Sequence, residues 1–505
     1  MNRRDERAEH GAKRHEHGAK RSLFTSVLAR LRRFDSHVVS ADLQRSAASV
    51  IVAAAVVVIP LFSAWQVAKT AAGEAAPLTV AMSTDPPPHE PVFSVRRIAQ
   101  TVAIEARVGS VRRRLGEFSQ SLPAQSCLVA RADSRSIADV RGTTGFVPAS
   151  NQKLLVAAAA LDVLGADRRF ETRLVGNRAG NAIVGDLFLV GGGDPLLSTR
   201  AYPPTQRYQT LAPTYLDTLA DEIAAAGIVT VSGSVVGDES RYDDERYVPS
   251  WGSGIRAIEA GPLSALMVDD GVLAGEPLKP SNPAVGAATV LTRLLQARGV
   301  SVLGPPRAGN APAGGTEIAR LASAPMSTIL VDLLTNSDNN AAELLLKEIG
   351  LVRAATPTRV AGLQAVADVL TARGIPVDGL VLADGSGLDD TNRVSCATFT
   401  ALLDSFGLDS PIAAGLALAG TTGTLQDVFG TGPANGRVRA KTGSLRNVKS
   451  LSGFFPVRDG SITFALIVNG PGVSNQSAYR PLWNDMMEAF ATYRETPQTA
   501  QLLPR

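Results

Sequence analysis

Ser150-Asn151-Gln152-Lys153 is the stretch whose reading decides the fold. It sets a serine three residues before a lysine, so on a helix the two side chains share a face. All five histidines of the 505-residue chain, His10, His15, His17, His37 and His89, precede residue 90. A serine nucleophile beyond that point has no histidine base, which excludes a Ser-His-Asp arrangement in the body. A desolvated lysine is the main substitute, because burial lowers its pKa and lets a neutral amine take the hydroxyl proton. A helix start would also offer backbone N–H groups to a developing oxyanion. Alone the pattern is weak: one Ser-x-x-Lys is expected roughly by chance in a chain of this size, and an N-cap serine before a surface lysine is the plain alternative.

Two further elements follow in order. Ser337-Asp338-Asn339, at the end of an expected helix, offers a second hydroxyl for proton relay and an amide to hold a substrate carbonyl; the plain alternative is a polar turn. Lys441-Thr442-Gly443 is more specific, since the chain has eight lysines. Lys441 and Thr442 can bind a substrate carboxylate, and Gly443 lets a substrate backbone approach its strand. The N–H of Ser444 could complete an oxyanion hole with that of Ser150. Joint occurrence in this order, each on the kind of element its role needs, points to acyl transfer through a serine.

Bulk properties describe a globular protein and exclude several alternatives. A chain of this length implies more than one domain. Hydrophobic residues at 45% and charged residues at 19% describe a globular protein. A net charge of +3 gives no reason to expect a nucleic-acid partner. Without histidine in the body the usual zinc-hydrolase ligand sets cannot be assembled there, and no cofactor is expected. Cys127 and Cys396 are the only cysteines. A bridge between them is open to a body outside the cytoplasm, although lone cysteines are more often buried small apolar residues.

Residues 1–45 hold eleven Lys/Arg against six Asp/Glu and read as a disordered basic tail. The uncharged run Ala47 to Ala68, ending near Trp65, is long enough to cross a bilayer core of roughly 30 Å, so residues 46–68 read as a membrane anchor. The basic side precedes it, which places the N-terminus in the cytoplasm and the body outside; a cleaved signal peptide is the competing reading. Pro86-Pro87-Pro88 and Pro91 mark a linker over 69–92. The body begins near Phe93.

Strands are expected over Cys127 to Asp133 and Ser136 to Gly142, then a helix from Asn151 to Leu164 stopped by Gly165. Residues 170–317 alternate strands (Ala182 to Val190, Val229 to Val236) with helices (Tyr215 to Ala226, Ala287 to Arg298) and read as an insertion. Helices resume over Met326 to Asn336, Asn340 to Gly350 and Arg359 to Arg373. Arg437 to Leu445 reads as a strand, Lys449 to Val457 and Ile462 to Val468 as a hairpin about Asp459-Gly460, and Pro481 to Tyr493 as a closing helix. Residues 93–169 and 318–505 then form one catalytic domain around the insertion.

Taken together the three motifs are those of penicillin-binding proteins and class A β-lactamases. The long separation of the first two, together with Gly185-Asp186-Leu187, Gly193-Asp194-Pro195, Asp384-Gly385-Ser386-Gly387-Leu388 and Gly423-Thr424-Leu425, resembles the low-molecular-mass class C penicillin-binding proteins, the D-alanyl-D-alanine carboxypeptidase/endopeptidase family. The resemblance covers about residues 95 to 485. It implies an α+β fold of the penicillin-binding-protein/serine β-lactamase-like transpeptidase type, an antiparallel sheet flanked by helices, with a large β-rich insertion between the first two motifs. It implies that Ser150 attacks the D-Ala-D-Ala bond of a peptidoglycan stem peptide, with Lys153 as base, Ser337 and Lys441 relaying the proton, Asn339 holding substrate, and Thr442 with Lys441 binding the terminal carboxylate. β-Lactams would acylate Ser150 as substrate mimics. A β-lactamase-like hydrolase and a non-catalytic cell-wall scaffold are the rivals. The first lacks support from a Glu-x-x-Leu-Asn segment, and the second would show a damaged motif, which none of the three is.

Overall fold

In the computed structural model of the chain, residue 63 and residues 95–493 are described, except positions 133, 134 and 459, with side chains described from residue 108 onward. The expected basic tail, anchor and linker, and position 459 of the expected hairpin turn, therefore lie outside the described residues, residue 63 aside. Among the described helices none is long and apolar enough to cross a membrane.

The first elements are α1 (Val95–Ser121), β1 (Ser126–Ala132), β2 (Arg135–Val140), and a 3₁₀ turn (Ala149–Gln152) that runs into α2 (Lys153–Val163). Next come β3 (Glu171–Val175), β4 (Leu187–Val190), α3 (Asp217–Ala225), β5 (Val235–Asp238), α4 (Pro283–Gln296), β6 (Arg307–Ala308) and β7 (Glu317–Ala322). The helices α5 (Met326–Asn336), α6 (Asn339–Ala354), α7 (Arg359–Ala372), α8 (Cys396–Phe406) and α9 (Pro411–Gly415) follow. The chain closes with β8 (Ala417–Leu418), β9 (Arg439–Leu445), β10 (Val448–Val457), β11 (Gly460–Asn469) and α10 (Gln476–Ala491).

The central sheet is antiparallel in the order β8-β9-β10-β11-β1-β2, so its first strands in sequence pair with its last. Both of its faces are covered. Along β1, Cys127 and Val129 join one core with α2, α5, α6 and α8. Leu128, Ala130 and Ala132 join the other, with α1 and α10. Strand β11 divides the same way, Ala465 and Ile467 against Phe464, Leu466 and Val468. Period-two alternation between two apolar faces is why these strands read as continuous hydrophobic runs. Helix α1 was not foreseen; its buried Val108, Val111 and Leu115 close the second core.

Cys127 and Cys396 form a disulfide, with their Cα atoms 5.9 Å apart, so the reading of two separate buried thiols is replaced by a bridge. It joins β1 to the first residue of α8, and both cysteines are fully buried.

Residues 171–322 carry a third core and three sheets of their own, one of them only the pairing of Leu197–Ser198 with Thr214–Tyr215. The largest sheet runs β6-β5-β4-β3-β7, mixing parallel and antiparallel pairs. The remaining sheet pairs Thr230–Val231 with Ala182–Ile183 and Ser301–Val302. The two long strands expected here are each broken. Ala182 to Val190 splits at Gly185, φ +82°, and Val229 to Val236 splits at Gly233. A Cβ on Gly233 would meet the Gly185 backbone at 2.6 Å, and one on Gly304 would meet Gly233 at 2.9 Å. Three neighbouring segments thus pass from one sheet to the other at points held by glycine.

Candidate active site

Ser150 lies on the 3₁₀ turn, one residue after Ala149, whose φ of +48° is unusual for a residue with a side chain. The α-helix proper begins at Lys153, two residues later than expected. The turn is clamped on both sides. Ser450 Oγ donates to Pro148 O at 2.6 Å, and Asn151 Nδ2 donates to Ser452 Oγ at 2.7 Å. Opposite, Gln152 Nε2 donates to Asp384 O at 3.2 Å, and Gly387 packs so close that a Cβ would meet Ala149 O at 2.0 Å. Strain at the nucleophile's neighbour is thereby held by the sheet and by the 384–387 loop.

Lys153 is fully buried, and its Nζ has three oxygen partners: Ser150 Oγ at 3.0 Å, Asn339 Oδ1 at 2.7 Å and Ser386 O at 2.6 Å. A carbonyl oxygen can only accept, and the Asn339 amide is oriented by its Nδ2, which donates to Glu259 O at 2.9 Å. A neutral amine spends its two N–H groups on these two acceptors, which leaves its lone pair for the Ser150 hydroxyl proton. Burial is the dominant influence on Lys153 and lowers its pKa from 10.5 to about 8, opposed by the negative field of Asp384, Asp338, Glu343 and Glu259. At pH 7 about a tenth of the amine is neutral. The arrangement can therefore accept a proton from Ser150 without a histidine.

The second motif is a helix-to-helix turn. Ser337, φ +66°, ends α5; Asp338 caps α6 by accepting from the Ala341 N–H at 2.9 Å; and Asn339 is the first residue of α6. Ser337 and Asn339 border a cavity of about 350 Å³ whose other walls include Tyr202, Tyr208, Glu259 and Lys279 of the inserted segment.

The third motif lies on β9. Lys441 and Gly443 face the same side as their cross-strand partners Ser452 and Ser450 on β10, the side that holds the Pro148–Gln152 turn. This revises the reading of Gly443. A Cβ there would meet Ser450 Oγ at 2.2 Å and Pro148 O at 2.7 Å, so the glycine admits the protein's own nucleophile turn. Lys441, expected to bind a substrate carboxylate, is fully buried and its Nζ donates to Thr442 O at 3.0 Å. Burial, then the nearby Lys153 charge, drives its pKa well below the usual value. Thr442 Oγ1 donates to Thr424 Oγ1 at 2.8 Å, and Ser444 is exposed on the strand. Hydrogen bonds thus join Ser150, Lys153 and Asn339; Lys441 is linked to Lys153 through its field. Among the described residues neither Ser337 nor Ser444 bonds the Ser150–Lys153 pair.

Sequence reasoning missed the supports of Lys153. Ser386 supplies a carbonyl, and its N–H and that of Gly385 donate to Glu343 Oε1 at 2.7 and 3.0 Å. Burial, followed by the field of Asp384, raises the Glu343 pKa to about 8. Asp384 accepts from the N–H groups of Gly387 and Asp389 and from Trp251 Nε1 of the inserted segment. The Asp384 to Leu388 stretch was the signal: a polar, glycine-rich run whose buried partners only the fold reveals. Among the described residues no group of three or more His, Cys, Asp or Glu is placed to hold a metal ion.

Comparison with known proteins agrees with this geometry. The chain is 31% identical over 414 residues to a D-alanyl-D-alanine carboxypeptidase of Actinomadura sp. (strain R39), covering 65% of this chain and 74% of that one. It is 32% identical over 345 residues to carboxypeptidase DacB of Mycolicibacterium smegmatis, covering 66% and 73%. In fold it is similar to penicillin binding protein 4 of Haemophilus influenzae, with a TM-score of 0.63 and 22% identity over 75% of this chain and 99% of that one. The D-Ala-D-Ala carboxypeptidase 3 (S13) family profile matches residues 120–280 and 275–492. With Ser150 hydrogen-bonded to the buried Lys153 and this match across nearly the whole body, the chain belongs to the D-Ala-D-Ala carboxypeptidase 3 (S13) family.

Proposed function

We propose that this serine-type D-Ala-D-Ala carboxypeptidase works on peptidoglycan stem peptides through an acyl-enzyme on Ser150. The observation that carries the mechanism is the fully buried Lys153 Nζ, 3.0 Å from Ser150 Oγ with its other two partners restricted to accepting. Ser150 Oγ attacks the penultimate D-Ala carbonyl and its proton passes to Lys153 Nζ. The peptide C–N bond then breaks, and the departing D-Ala nitrogen takes a proton delivered through Ser337 and Lys441. Water adds to the ester carbonyl, and the Ser150 hydroxyl is regenerated. The N–H groups of Ser150 and Ser444 hold the oxyanion, Asn339 orients substrate, and Thr442 with Lys441 receives the terminal carboxylate. A substrate carboxylate beside Lys441 favours its charged form, against the burial that lowers its pKa.

A cross-bridge offers the same carbonyl with a different leaving amine, so endopeptidase cleavage belongs to the same proposal, as does acylation of Ser150 by β-lactams. Residues 93–169 and 318–505 are read as the catalytic domain and 170–317 as the accessory insertion. The apolar run at 46–68 is read as a single-pass anchor with the body outside the cytoplasm, a location that the Cys127–Cys396 bridge supports. A reporter fused after Arg505 should be active only outside the cytoplasm, and cytoplasmic activity would remove that reading.

The function is tested by Ser150→Ala. D-Alanine release and covalent penicillin labelling should both fall by about 10⁴-fold or more with the fold retained. An adduct mapped to Ser337 instead would reverse the assignment of the nucleophile.

A further inference from the structure

A cavity of about 480 Å³, large enough for a small ligand, lies where the inserted segment meets the helical core. Arg168, Arg169, Arg173 and Arg241 line it together with Glu171. The fully buried Glu348 is held by Arg168 Nη2 at 2.9 Å and by Arg241 at 2.7 and 2.9 Å, so two guanidinium groups meet one carboxylate. Arg320 takes both oxygens of Glu171 at 2.8 Å and also binds Glu317 at 2.9 and 3.0 Å. Arg173 lies 3.9 Å from Glu317, and Arg169 Nη1 donates to Ser323 O at 2.6 Å. Arg320, Glu317 and Glu348 lie outside the lining and pair with lining residues, and counted with these partners the group holds five arginines against three glutamates, a surplus of two positive charges. Arg168 Nε is buried without a hydrogen-bond acceptor. Nothing in acyl transfer at Ser150 uses these groups.

We propose that this cavity binds a doubly charged phosphate-type oxyanion. A phosphate monoester carries a charge of about −1.5 to −2 at neutral pH, which matches the surplus, whereas a single carboxylate leaves half of it uncompensated. Guanidinium forks present paired N–H donors that suit phosphate oxygens, and arginine rather than lysine lines the site throughout. The volume exceeds that of a phosphate group, so an organic portion fits beside it. The phosphate has two sources, a soluble phosphorylated molecule or a phosphate-bearing wall polymer.

The test is calorimetric titration of the full chain, at fixed ionic strength, with inorganic pyrophosphate and with a short glycerol phosphate oligomer. Saturable binding of at least one is expected, about tenfold weaker in an Arg169→Gln/Arg173→Gln variant, with penicillin acylation of Ser150 unchanged as the check on folding. Arg173→Gln alone, which leaves the Ser323 contact in place, should give part of that loss. Tighter binding of pyrophosphate points to a soluble ligand, and tighter binding of the oligomer to a wall polymer. Absence of saturable binding by both at millimolar concentration, or equal binding by parent and variants, overturns the proposal.

Discussion

Lys153 and Lys347 are both fully buried, yet their surroundings differ in kind. Lys347, on α6, forms an ion pair with Asp243 at 2.5 Å and donates to Glu245 O at 2.7 Å. It belongs to a set of buried and half-buried pairs, with Arg241–Glu348 and Arg359–Glu245, that fastens the inserted segment to α6 and α7. Lys153 has only uncharged oxygens within hydrogen-bond reach, and its carboxylates act from farther away. Burying an ammonium beside a carboxylate makes a structural fastener; burying one beside neutral acceptors lowers its pKa and makes a base. The residue type and its burial are the same, and the partner decides the role.

That contrast can be broken most sharply at Lys153. Replacement by arginine keeps a permanent cation and should reduce the rate of Ser150 acylation by about 10³-fold, the range expected for losing a general base. A Lys153→Arg enzyme with near-normal acylation would place the base elsewhere. At Lys347 the outcome should invert. Asp243→Ala leaves a buried ammonium without its counter-charge and should lower stability by about 3 kcal/mol, while acylation per folded molecule stays unchanged. Loss of acylation without loss of stability would mean that this pair serves the site.

A smaller effect sharpens the same point. The folded pKa of Lys153, about 8, lies below the ordinary 10.5. The buried ammonium therefore weighs against the folded state at any pH below 8, and that penalty fades as pH rises from 8 to 10.5. Lys153→Met should accordingly be inactive but more stable than the parent by about 1–3 kcal/mol at pH 7. Chemical denaturation of the two proteins reads this directly, and a less stable Lys153→Met would show that the contacts to Asn339 and Ser386 outweigh desolvation.

Where an element carries its own punctuation, the sequence disclosed it. Met326–Asn336 occurs with the expected bounds because a hydrophobic period runs up to Ser337, which turns left-handed. The β10–β11 hairpin was visible for its long apolar runs on either side of residue 459. Where a segment changes partners midway, periodicity misled. Ala182 to Val190 looks like one strand because nothing in its pattern reports that Gly185 moves it between two sheets. Helix α4 starts four residues before the expected Ala287, at Pro283, because Asn282 caps it and accepts from the Val285 N–H. The site divides similarly. Spacing alone placed Ser150 beside Lys153, but the uncharged acceptors that make Lys153 useful, Asn339 Oδ1 and Ser386 O, are remote in sequence and brought in by the fold. The environment of Lys441 was likewise invisible, because a strand lysine before a turn reads as exposed.

The most direct measurement is the pH dependence of Ser150 acylation by benzylpenicillin in the parent protein, followed from pH 5.5 to 9.5. With Lys153 as a neutral-amine base of pKa about 8, the second-order rate should fall about tenfold for each pH unit below 8 and level off above it. A rate that is flat between pH 6 and 9 would contradict the account, because the proton acceptor would then be a group already deprotonated in acid and not the buried lysine.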